Sequence, residues 1–195
     1  MTKPTGAGRR TGPPGLRRRV RNLYRVKRAR LLEVPTAALR RRYGDAVEVD
    51  DADHHFARVK PTSGPEVEVG FAGKYRMFGA LIDTQWVTRR GTIGETHRQE
   101  FDYRFDLEKF VVKKGDNQAL AARLGDDLTK KLAKQAELKR IRVLEFEQGR
   151  QVEITPLPGT ITAVYLPPLP PYTVPMKPAE ADAQLTLLLH LVEHG

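Results

Sequence analysis

The chain has 195 residues, 39% of them hydrophobic and 30% charged, with a formal net charge of +10 and no cysteine. That length fits one domain around a single core, and the composition is that of a water-soluble globular protein. The missing cysteines exclude disulfides, thiolate zinc sites and a cysteine nucleophile, and no run nears the ~18 apolar residues that a membrane span requires.

The charge is unevenly placed. Residues 1–42 hold 14 Lys and Arg against one acid, Glu33, a surplus of 13, whereas the remaining 153 residues hold 20 bases and 23 acids and carry −3. Clustered like charges repel one another until a partner neutralises them, so this arm expects a polyanion or an anionic surface. Arg9-Arg10 is followed by Gly12-Pro13-Pro14-Gly15 rather than by an apolar stretch, and the arm has no serine, which speaks against a secretory or transit signal and for a cytoplasmic protein.

Residues 1–15 contain almost no large apolar side chain and are expected to be a disordered basic tail, with one α+β domain over 16–195. From Leu16 the spacing becomes helical. At 100° per residue Leu16, Val20, Leu23, Tyr24 and Leu31 share an arc of about 100°, with Arg17, Arg18, Arg21, Arg25 and Arg28 away from it. Pro35 is expected to end this helix, Thr36 to cap a second one through Tyr43, and Gly44 to close it, so that the basic helices occupy 16–43.

Strand spacing follows. Val47 and Val49 alternate with acids, Asp50-Asp51-Ala52-Asp53 reads as a turn, 56–60 returns, and Val67 and Val69 alternate again. Gly70, Gly73 and Gly79 predict tight turns or bulges before a strand over 81–88. Phe101, Tyr103 and Phe105 then point one way and Arg98, Glu100, Asp102, Arg104 and Asp106 the other, the pattern of an antiparallel sheet with one wet face. A single helix is predicted from Asp116 or Asn117 to about Lys139, on the four-residue recurrence of Leu120, Leu124, Leu128 and Leu132 with Asp126/Lys130 and Asp127/Lys131 pairs. Strands over 140–147 and 151–155 form a hairpin at Gln148-Gly149, a strand covers 160–166, residues 167–175 are extended by their prolines, and Pro178 opens a last helix apolar on most sides. The class is α+β, a mainly antiparallel sheet with two or three packed helices and a basic helical N-terminal extension.

No motif in the chain specifies an enzyme. In Gly70–Phe78 basic and aromatic residues interleave, but Val69 stands where an RNA-recognition signature needs Lys or Arg, and Glu68 and Tyr75 rule out a phosphate loop, so the segment reads as a hairpin. His54 and His55 would project to opposite faces of a strand, and His190/His194 lack the glutamate between them that a zinc hydrolase needs; no metal or cofactor is expected. Ser63 sits in a turn sequence without a nucleophile elbow. The acids Glu66/Glu68 and Glu145/Glu147 share strand faces with bases that can pair with them, and Pro168-Leu169-Pro170-Pro171 serves as a stiff connector.

The expected function is therefore non-catalytic binding of an anionic partner, foremost nucleic acid, through Arg17, Arg18, Arg19, Arg21, Arg25, Lys27, Arg28, Arg30, Arg40, Arg41 and Arg42. The same amphipathic helix could instead lie on an anionic membrane surface, its apolar stripe entering the headgroup boundary. A third reading places an enzymatic or small-ligand site between sheet and helix, with Asp83, Glu145 or Arg104 as its polar groups.

Overall fold

A computed structural model describes residues 14–50, 56–76, 79–164 and 172–194, with side chains from Val26 onward except at 74–76, 79, 163–164 and 194. In chain order the elements are helix α1 (Pro14–Tyr43), strands β1 (Val47–Val49), β2 (Phe56–Val59), β3 (Glu66–Arg76), β4 (Gly79–Thr92), β5 (Gln99–Arg104) and β6 (Lys109–Lys114), helices α2 (Gln118–Leu124) and α3 (Asp127–Gln135), strands β7 (Leu138–Glu145), β8 (Gln148–Pro156), β9 (Ile161–Val164) and β10 (Tyr172–Thr173), and helix α4 (Pro178–His194). The fold is α+β.

All strand pairs of the sheet are antiparallel, in the order β1-β2-β3-β4-β8-β7-β5-β6. Register lines up two rows of opposite character. Facing the helices run Val47, Val59, Val67, Thr88, Val152, Val143, Phe101 and Val112; on the other face, one residue along, run Glu48, Arg58, Glu68, Val87, Glu153, Arg142, Asp102 and Val111. Period-2 alternation in each strand makes this division, and on either side of Val87 the charges of the wet row alternate in sign, so that charged neighbours across strands attract.

Strand β4 joins the two halves of the sheet. One edge pairs with β3 along its length, while the other pairs with β9 at Gly79–Ile82 and with β8 at Trp86–Thr92. Between those partners the loop that leaves β8 is held by side chains instead of a ladder. Thr84 donates to the Gly159 carbonyl at 2.8 Å, and Lys139 reaches Asp83 at 2.6 Å and Thr160 at 2.8 Å.

Helix α4 covers the sheet beside α1 and α3. Its Leu185, Leu187, Leu188, Leu189, Leu191 and Val192 are all buried, as a helix apolar on most sides must be. Glu180, three residues into the helix, accepts from the Lys177 amide at 2.8 Å, the backward half of a capping box. Trp86 donates its indole N–H to Gln184 Oε1 at 2.8 Å, and Gln184 Nε2 donates to the Ala136 carbonyl at 3.1 Å, so one amide fastens β4, α4 and the end of α3 together.

Several expectations are corrected. Helix α1 does not stop at Pro35: it is continuous from Pro14, because Leu31, Leu32, Ala38 and Leu39 on both sides of the proline are buried against the body. Thr36 is a buried mid-helix residue rather than a cap, while Gly44, at φ +60°, does follow the helix in the left-handed region. Gly70 and Gly73 lie inside β3 in unbroken register with β4.

The helix expected to Lys139 is two, since Gly125 closes α2 and the Asp126 carboxylate accepts from the Thr129 amide at 2.7 Å to start α3. The break turns Leu128 outward and replaces the expected i,i+4 pairs with Lys130–Asp127 at 3.3 Å. Phe101 and Tyr103 are core residues, but Phe105 lies in the turn beyond β5 and is exposed. The hairpin between β7 and β8 turns one residue early, with the Phe146 amide donating to the Gly149 carbonyl at 2.8 Å. The acid turn at 51–53, His54, His55 and most of the proline run lie outside the described residues, as does the tail before Pro14.

Candidate anion-binding surface

The second half of α1 is bolted to the body, and from Val26 on, where side chains are described, the first buried residue along it is Leu31. Leu32 and Leu39 join the main core, while Leu31 packs with Ile82 and Ile161. The docked face is not a continuation of the predicted stripe. At 100° per residue, Leu32, Pro35 and Leu39 fall in line with Arg21 and Arg28, on average about 125° from Leu16, Val20 and Leu23. Half-buried Arg28 sits at the start of that docked face.

Arg30, Arg40, Arg41 and Arg42 are exposed, and Lys27 is half-buried. Arg17, Arg18, Arg19, Arg21 and Arg25 are on the helical backbone of α1, with side chains outside the described set; the same holds for Leu16, Val20, Leu23 and Tyr24. Arg41 Nη2 stands 2.6 Å from Asp182 Oδ1 of α4, each side chain about half exposed, and a pair so placed contributes at most about 1 kcal/mol. Burial pushes the Tyr43 hydroxyl above its usual value, against the opposing pull of Arg42 beside it. Arg30, Arg40 and Arg42 have no carboxylate partner among the described residues. A groove of about 620 Å³ lies between this face of α1 and the end of β1, lined by Leu32, Glu33, Thr36, Ala37, Arg40 and Val49.

The body, by contrast, pairs eleven of its eighteen described Lys and Arg with its own acids. Arg58 meets Glu48 at 2.9 Å, Arg142 meets Glu100 at 2.9 Å and Glu153 at 3.6 Å, Arg140 meets Asp102 at 3.2 Å, and Lys134 meets Glu108 at 2.7 Å. The three polar groups named for a small-ligand site are brought to different places. Asp83 is held by Lys139 at the β8–β9 switch, Glu145 is ion-paired to Arg150, and Arg104 pairs with Asp106 at 2.9 Å on the surface. Between β4, β7, β8 and α4 the space is filled by Trp86, Ile141, Val143, Val152, Leu187 and Leu188, all fully buried.

Other candidates fare similarly. Glu147 pairs with Arg98 at 2.6 Å and Glu66 with Lys60 at 3.5 Å, Ser63 is exposed in a bend, and His190 meets the capping Asp126 at 2.9 Å. Among the described residues no group of three or more His, Asp or Glu is placed to hold a metal ion, and no helix is long and apolar enough to cross a membrane.

Two contacts had no local signal in the sequence. Arg150 Nη1 donates to the Leu191 carbonyl at 2.8 Å near the end of α4, and the Asp83–Lys139–Thr160 cluster joins residues far apart in the chain. Only the strand order brings them together. No protein-family model, curated protein or solved structure matches the chain.

Proposed function

We propose that the protein binds nucleic acid through α1, with the α+β body as its mount. One observation carries this reading: eleven of the eighteen described Lys and Arg of the body pair with its own acids, whereas of the four arginines described as exposed on α1, Arg30, Arg40, Arg41 and Arg42, only Arg41 meets a carboxylate. Phosphates on a nucleic acid would supply the missing counter-charge, and the affinity would come from release of the ions condensed on them. Tyr24 is the only aromatic residue in the first 42, so phosphate contact rather than base stacking dominates.

The full chain should bind a fluorescently labelled duplex with log affinity falling steeply against log salt. Replacing Arg17, Arg18, Arg21 and Arg25 together by Gln keeps the helix formers and removes four charges, and should flatten that slope by about 3 to 4. An unchanged slope in the substituted protein would defeat the proposal, and flotation with anionic vesicles in place of nucleic-acid binding would transfer the arm to a lipid surface.

A further inference from the structure

We propose that β6 is a docking edge, which takes an extended acidic segment of a partner protein as one more strand of the sheet. This edge lies at the opposite end of the strand order from β1, and the proposal does not depend on what α1 binds. The strand order ends in three residues at β1 but in six at β6, which pairs with β5 alone. Every second residue of such a strand turns its N–H and C=O away from its one neighbour, so β6 carries backbone groups that a further strand can pair with.

Beside this edge a groove of about 510 Å³ runs between β6 and α2, where Phe110, Val112, Gln118, Ala121 and Ala122 line it. A segment laid along β6 would turn alternate side chains to opposite faces of the sheet. On the helix side they would meet Val112 and the small, exposed Ala122, which suits apolar residues. On the wet side they would come beside Lys109 and Val111, with Lys113 next along the strand as the extra residue of a bulge.

Charge selects the occupant. Of the seven described Lys and Arg of the body without an acid partner, four stand on β6 and α2: Lys109, Lys113, Lys114 and Arg123. Lys114 Nζ donates back to the His97 carbonyl at 2.5 Å, so Lys109 and Lys113 are the strand's cations left to meet a newcomer. Nearby acids are engaged, Glu108 by Lys134 at 2.7 Å and Asp127 by Lys130 at 3.3 Å, while Asp116 stays exposed beyond the end of the strand. A second copy of β6 would set lysine against lysine, which is unfavourable across strands, whereas glutamate or aspartate in the same place attracts. A nucleic acid has charge of the right sign but no backbone N–H and C=O in strand register. The segment that satisfies both demands alternates acidic and apolar residues.

Fluorescence anisotropy with the full chain tests this. The probes are a labelled peptide of about ten residues alternating Glu and Val, its Lys and Val counterpart, and two Glu and Val peptides N-methylated on the Glu or on the Val amides, so that one of them loses its strand-pairing donors. The acidic peptide should bind and slow amide hydrogen exchange over residues 109–112, the basic peptide should not bind, and one of the two methylated peptides should lose affinity. Lys109→Glu with Lys113→Glu should weaken the acidic peptide about tenfold and admit the basic one. Ala122→Trp, at an exposed position on α2, should block the groove.

No binding of the acidic peptide, binding that both methylated peptides retain, or binding that survives Ala122→Trp would overturn the added strand. If the double charge reversal instead weakens binding of a nucleic-acid duplex, the edge belongs to the nucleic-acid surface; if the full chain self-associates through β6, its occupant is a second copy. Either result overturns the acidic partner, and neither bears on the arginines of α1.

Discussion

Gln184 shows how much a single buried amide can hold. It is fully buried, it accepts from Trp86, itself without exposure, and it donates to the Ala136 carbonyl that ends α3. Both partners are desolvated, so each loses its hydrogen bond with nothing to replace it if the amide is removed. Gln184→Leu keeps the volume nearly constant and deletes only the polar atoms. Two unsatisfied groups at about 1–3 kcal/mol each predict a loss of about 2–6 kcal/mol in urea unfolding. A loss under about 1 kcal/mol would mean that water reaches the indole and that the three elements are not tied there. Exposed ion pairs such as Arg98–Glu147 are a poor place to look for stability, because water and salt already screen them.

At the scale of elements the strands were the legible part. Phe101 and Tyr103, Val67 and Val69, and the acids and bases between them announce a half-buried antiparallel sheet by alternation alone, and the structure sets the two sets on opposite faces. Helix boundaries were less legible because they are decided by competition. The four-residue recurrence of leucines through 120–132 supports one long helix, yet the Asp126 side chain offers the Thr129 amide an alternative partner and Gly125 lets α2 end. Pro35 is the reverse case: its missing amide should break α1, and burial of Leu31, Leu32 and Leu39 around it outweighs that cost of about 3 kcal/mol.

The Asp126 cap also makes a pH prediction. Burial alone would raise its carboxyl, but hydrogen bonding to Thr129 and the neighbouring His190 hold it below the usual carboxylate value. A carboxyl depressed in the folded state stabilises the protein above its unfolded pKa of about 3.9, and that contribution fades as pH falls through the lower folded value. Asp126→Ala should therefore cost about 1 kcal/mol at pH 7 and progressively less as the solution is acidified below pH 4, in paired urea titrations of the two proteins. A penalty independent of pH would assign the effect to packing rather than to the charged cap.

For the whole molecule the decisive question is where the basic arm ends and the body begins, and charge alone misplaces that border. The surplus of cations runs to Arg42, but among the described side chains packing on the body begins at Leu31, from which α1 is part of the core shared with α4 and with β1 to β3. The sequence misleads at this point because its apolar stripe over 16–31 and the docked face over 31–39 are rotated relative to each other. No single periodic face spans both, and only the neighbouring elements say which one is used. Two shortened chains separate the borders. A chain beginning at Val26 loses most of the cationic segment and keeps every residue of α1 described as buried, so its thermal midpoint should stay within a few degrees of the full chain while its affinity for a nucleic-acid duplex collapses. A chain beginning at Val34 also loses Leu31 and Leu32, two buried side chains worth about 2–5 kcal/mol each by comparison with leucine-to-alanine changes. Its midpoint should fall by ten degrees or more, about 4–8 °C per kcal/mol being usual for a small domain and half that for one nearer this size. Circular dichroism melts of the three chains measure both effects. If the chain from Val34 melts with the full-length protein, α1 is not anchored through Leu31 and Leu32, and the body cannot serve as a fixed mount for the basic helix.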